Sequence, residues 1–109
     1  MEQRPVIWLV GSECNPGREA EYNEFYNKEH MPTALKGPGM IRGTRYQRVG
    51  HQFEYPKYLA IYEMDSEAAT EAFLQSETAK EVAKQQFQGR GKDLGMKLRW
   101  LVRYKPVGP

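Results

Sequence analysis

The chain of 109 residues has one cysteine, Cys14, so no internal disulfide can form. No activating base stands beside it in sequence, and it reads as a small structural residue. There are only two histidines, His30 and His51, and no paired ligands at helical spacing, so no metal centre is expected. Long apolar runs are also missing. The run Val6-Ile7-Trp8-Leu9-Val10 is far too short for a secretory leader or a membrane span. Charge of one sign is scarce: 16 basic and 14 acidic side chains leave a net charge of +2. That balance argues against a nucleic-acid partner. Two small basic groups, Arg42/Arg45/Arg48 and Lys97/Arg99/Arg103, read as solvated strand faces. No glycine-rich phosphate loop is present either. Gly37-Pro38-Gly39 is a turn, and Gly89-Arg90-Gly91 is too short. A cytoplasmic protein with no cofactor, no metal and no membrane partner is the expectation.

What is present suits one small domain spanning residues 1–109. Hydrophobic residues make up 39% and charged residues 28%, enough for a modest core. The run at 6–10 reads as a strand buried on both faces. Asn15-Pro16 offers an N-cap and first-turn proline for a helix over residues 16–30. With Tyr22 set at 0° and about 100° per residue, Phe25 falls near 300°, Tyr26 near 40°, Glu29 near 340° and His30 near 80°. One helix face is thus aromatic and ends in a carboxylate and an imidazole. Pro32 is expected to end the helix at or before Met31.

A second strand is predicted over 40–49, with Arg42, Thr44, Tyr46 and Arg48 on one face. A loop over 50–56 carries His51. The third strand, 57–64, again looks apolar on both sides. Asp65-Ser66 signals a second helix carrying Ala69, Ala72 and Phe73 on one face, breaking near Ser76 and resuming over 78–86. In the last strand Leu98, Trp100, Val102 and Tyr104 alternate with Lys97, Arg99, Leu101 and Arg103.

The order β-α-β-β-α-β is the split motif of ferredoxin-like α+β sandwiches, with a four-stranded antiparallel sheet. Two helices cover one sheet face only. Strands apolar on both sides leave the other face as a hydrophobic patch, which a second copy would bury as a homodimer.

The residues Pro16-Gly17-Arg18-Glu19-Ala20-Glu21-Tyr22-Asn23-Glu24-Phe25-Tyr26, then Glu29-His30-Met31-Pro32, Gly37-Pro38-Gly39-Met40 and Tyr58-Leu59-Ala60-Ile61-Tyr62-Glu63, resemble the dimeric α+β barrel superfamily. They are most similar to its EthD-like branch. The resemblance implies a pocket between sheet and helices. It leaves the reaction open, since the superfamily hosts cofactor-independent monooxygenases, polyketide cyclases, lyases, isomerases, haem-using enzymes and proteins without known activity. Haem is not expected here, because the second helix has no histidine.

His30 is the leading catalytic candidate. An imidazole beside phenols in an apolar cavity is suited to general acid–base work, and a capping histidine at the helix C-terminus is the plainer reading. Tyr22 and Tyr26 share its stripe, and His51 with Phe53 and Tyr55 makes a loop candidate. Trp8, Phe25, Tyr46, Tyr62, Phe73 and Trp100 are candidates for contacting a hydrophobic or aromatic small molecule, though strand parity does not say which of them face it. Glu13 or Glu63 is a candidate to orient His30. The leading expectation is a cofactor-independent lyase, isomerase or cyclase. A cofactor-free monooxygenase and a non-catalytic binding or accessory protein are the alternatives.

Overall fold

In the computed structural model, which describes residues 4–108, Val6–Glu13 forms strand β1 at the middle of the sheet. Its inward side chains Val6, Trp8 and Val10 are buried, as a two-sided apolar strand requires. Strand β3, Tyr58–Met64, runs antiparallel beside it, pairing Trp8 with Tyr62 and Val10 with Ala60. Strand β2, Met40–Gln47, lies outside β3, and strand β4, Lys97–Tyr104, lies outside β1. The spatial order is β2-β3-β1-β4, all neighbours antiparallel, which is the ferredoxin-like sheet.

The first helix departs from expectation at both ends. Asn15 to Arg18 form a turn, with the Arg18 N–H donating to the Asn15 carbonyl at 3.1 Å and Gly17 at φ +84°. Helix α1 then starts at Glu19 and runs as Glu19–Phe25. Pro32 does not end it. A π-helical turn, Tyr26–His30, follows, and the helix continues as α2, Met31–Ala34. The Met31 N–H bonds to the Tyr26 carbonyl, five residues back. The wider turn gives the chain one extra residue just before Pro32, so the ring enters where a missing N–H does least harm.

The second helical region is broken as predicted. Helix α3, Glu67–Leu74, and helix α4, Glu77–Phe87, are each capped by a serine: the N–H of Ala69 donates to Ser66 Oγ and that of Ala79 to Ser76 Oγ, both at 3.1 Å. The inward face of α3 is Ala69, Thr70 and Phe73, while Ala72 is exposed. A short helix α5, Arg90–Asp93, leads into β4.

The pairing of β4 contains a β-bulge. Gly11 pairs with Trp100 but Ser12 pairs with Leu98, leaving Arg99 as the extra residue. The strict alternation expected for this strand therefore fails. Leu98 and Leu101 face the helices, and Trp100, Val102 and Tyr104 face the other way.

Among the described residues no helix lies over that other face. It presents Ile7, Leu9, Leu59, Ile61 and Val102, all partly exposed, with Tyr46, Trp100 and Tyr104 around them. Pro56 seats beside Gly11, where a Cβ would come within 2.6 Å of its ring carbon.

Candidate functional site

A cavity of about 260 Å³ lies between the inner sheet face and the helices. Its walls include Trp8 and Val10 from β1, Tyr62 from β3, Leu98 and Leu101 from β4, Tyr26 and His30 from the π-helical turn, and Phe73 from α3. The volume sits just below the usual range of roughly 300–1,000 Å³ for small-molecule sites, so a compact ligand fits best. Trp8 and Phe73 meet edge to face, with centroids 5.8 Å apart.

His30 is only 2% exposed. Phe25 stacks on the imidazole at 5.3 Å, and Tyr26 meets it edge-on at 4.9 Å. The π-helical turn explains this position. Ordinary helical stepping would carry His30 away from the Tyr22–Tyr26 line and keep Glu29 near it. The extra residue swings His30 back toward that line and leaves Glu29 exposed.

A hydrogen-bond chain fixes the ring. Thr33 Oγ1 donates to the Glu29 carbonyl at 2.7 Å, so its lone pairs receive Gln85 Nε2 at 3.0 Å. The Gln85 amide is thereby oriented, and its Oε1 faces His30 Nδ1 at 3.0 Å. An amide oxygen only accepts, so Nδ1 carries the proton and Nε2 carries the lone pair of the neutral ring. Burial lowers the His30 pKa from 6.5; the Gln85 bond opposes that shift, and the charge of Arg45 adds to it. At neutral pH the imidazole is therefore a base rather than a cation.

The phenols have the opposite character. Burial raises Tyr26 well above 10, with the adjacent Tyr62 hydroxyl adding to it. Burial pushes Tyr62 up to about 12. Both stay protonated at neutral pH, and the two hydroxyls interact with each other.

Other sequence candidates are distributed differently. Trp8, Tyr62 and Phe73 border the cavity with His30 and Tyr26. Tyr22 is buried behind them, sharing a 2.6 Å hydrogen bond with Ser12 Oγ, and burial raises its pKa strongly. Phe25 acts only through the imidazole it stacks on. Tyr46 and Trp100 lie on the open sheet face, away from the cavity, and His51 sits exposed in its loop, 5.6 Å from Phe53. Neither candidate carboxylate reaches His30: Glu13 is held by Arg99 and Glu63 by Arg42. Gln85 takes the orienting role. Nothing in the sequence marks it, because its partner is 55 residues away. Cys14 is half-buried; burial, then the charge of Glu19, raises its thiol pKa, so it stays protonated at neutral pH.

Arg45 was also misjudged from sequence. It does not lie on a solvated face but points inward opposite Ala60, under the first helix. Its guanidinium carbon stands 4.3 Å from the centre of the Tyr26 ring. Among the described residues no group of three or more His, Cys, Asp or Glu side chains is placed to hold a metal ion, and no helix is long and apolar enough to cross a membrane.

This architecture defines a ferredoxin-like α+β fold. Solved structures share it closely. An EthD (ethyl tert-butyl ether D) family protein from Bacillus halodurans superposes with a TM-score of 0.70 at 16% identity, covering 94% of this chain and 99% of the other. HapK from Hahella chejuensis gives 0.71 at 11% identity, covering 95% and 94%. MhuD, a haem degrader from Mycobacterium tuberculosis with two haems bound in its active site, gives 0.70 at 14% identity, covering 96% and 98%. No family model and no curated protein matches the sequence. At these identities the likeness is one of fold.

Proposed function

We propose that the protein is a small enzyme of this fold that moves a proton on a compact hydrophobic molecule, aromatic or polyketide-like, with His30 Nε2 as the general base. The observation that carries this reading is the Thr33–Gln85–His30 chain. A merely structural histidine does not need its amide partner oriented by a further hydroxyl, whereas a base does need one fixed tautomer. The Tyr26–Tyr62 pair, held protonated, would donate to an oxygen on which negative charge develops. The apolar walls from Trp8, Phe73 and Leu98 lower the polarity around the charge being formed. A lyase, isomerase or cyclase step follows from this set without a cofactor.

Incubating aromatic and polyketide-like compounds with the protein, and following products by mass spectrometry, tests the reading. His30→Ala should lower turnover by about 10²-fold or more. Unchanged turnover removes His30 from the chemistry. Turnover that stops when oxygen is withdrawn identifies a cofactor-free monooxygenase instead. Compounds that bind and are not turned over indicate a binding protein.

The working unit proposed is a homodimer. The apolar side chains Ile7, Leu9, Leu59, Ile61 and Val102 form one patch on the face that no helix covers, which is the surface a two-fold partner would bury.

A further inference from the structure

Arginine forks in this protein repeatedly hold carboxylates. Arg18 sets Nε and Nη2 on the two oxygens of Glu21 at 2.7 and 3.0 Å. Arg42 does the same to Glu63 at 2.6 and 2.9 Å. At Arg45 the same Nε–Nη2 edge is buried, and it meets no acceptor among the described residues. Only Nη1 is engaged, donating to Asn27 Oδ1 at 3.0 Å.

The surroundings make this edge unusual. The guanidinium carbon lies 4.3, 5.2 and 5.7 Å from the ring centres of Tyr26, Tyr58 and Tyr22. Those faces compensate part of the lost hydration of the cation. They offer no lone pairs to the in-plane N–H groups of the fork. A second cation shares one of these rings: Lys57 Nζ is 5.6 Å from the centre of Tyr58. The nearby carboxylate, Glu19, stands 3.8 Å from that lysine. Two cations and one acid thus converge under the first helix, and N–H donors shut off from water with no acceptor, as at Nε and Nη2, are costly to leave unpaired.

We propose that Arg45 anchors a carboxylate-binding subsite beneath the π-helical turn. It takes the two coplanar oxygens of a small organic acid on Nε and Nη2, while Tyr22, Tyr26 and Tyr58 hold the guanidinium plane. Fork geometry selects the class. The two coplanar oxygens of a flat carboxylate match its two parallel N–H groups. The subsite meets the cavity only through Tyr26, whose ring covers Arg45 and also forms cavity wall. It does not depend on His30 being a base.

Titration calorimetry of the 109-residue chain with sodium benzoate, benzamide and inorganic phosphate at constant ionic strength tests this. Benzoate should bind at least about tenfold tighter than its uncharged isostere benzamide, and tighter than phosphate. Arg45→Lys keeps the charge, loses the fork and should weaken benzoate by about tenfold or more. The Arg45 Nε–H resonance should move on benzoate addition in the unmodified protein, which decides the matter even if the lysine variant fails to fold. Equal affinity for benzoate and benzamide, tighter binding of phosphate, or an unmoved Nε–H would each overturn the subsite.

Discussion

His30 Nδ1 and Gln85 Oε1 are 3.0 Å apart, and the two residues come from helices separated by the whole central part of the chain. The imidazole tautomer is therefore a property of how α4 packs on the π-helical turn. Replacing Gln85 with Leu should leave a buried N–H without its acceptor, at a cost of about 1–3 kcal/mol in unfolding free energy. Denaturant titration measures that loss. Imidazole nitrogen NMR should show the single tautomer give way to a mixture, and an unchanged tautomer would refute the orienting role.

Gln85→Glu keeps an acceptor and adds negative charge. The neighbouring carboxylate favours the imidazolium, so the His30 pKa should rise above its depressed native value. In a rate profile the acid limb should move to higher pH. A limb that stays in place would mean that another group titrates.

Stability should also follow His30. Its folded pKa lies below the unfolded value of about 6.5, so the unfolded chain takes up its proton first as pH falls. The unfolded state is thereby favoured from about pH 6.5 down to the folded pKa, below which this contribution levels off. Within that window each pH unit costs up to about 1.4 kcal/mol. Melting temperatures from pH 8 to 5 should fall less steeply in His30→Gln, and parallel curves would contradict the prediction.

Two turn glycines separate backbone strain from crowding. Gly17 has φ +84° with open space around it, while Gly39 has φ +78° and a Cβ there would collide with the Ala69 Cβ. Gly17→Ala should cost about 1 kcal/mol for the left-handed backbone. Gly39→Ala should cost about 1–3 kcal/mol more, because α3 must move. Comparable losses in thermal denaturation would show that α3 gives way easily.

The open sheet face makes a separate prediction. Ile61 sits on it between its pairing partners Leu9 and Thr44. Sedimentation should show a dimer for the native chain and a monomer with an unchanged far-UV spectrum for Ile61→Lys. A native monomer at high micromolar concentration would rule the dimer out.

Local patterns in the chain determined the element order and the split motif. They also marked β1 and β3 as apolar on both sides, the cap at Asp65-Ser66, the break near Ser76, and His30 with Tyr26 as residues of interest. Those features follow from side-chain period and capping chemistry, which act over a few residues. Three others were settled only in three dimensions. The π-helical turn inserts one residue just before Pro32 and so re-aims His30 and Glu29. The bulge at Arg99 reverses the parity of β4, sending Trp100 outward and Leu98 inward. The partners of His30 and the cage around Arg45 come from segments distant in sequence, and no local pattern encodes who meets whom across a packed core. Composition and periodicity determine which faces must be buried; the insertion of a single residue in a helix or strand, and the packing of one helix on another, decide which side chain reaches the cavity.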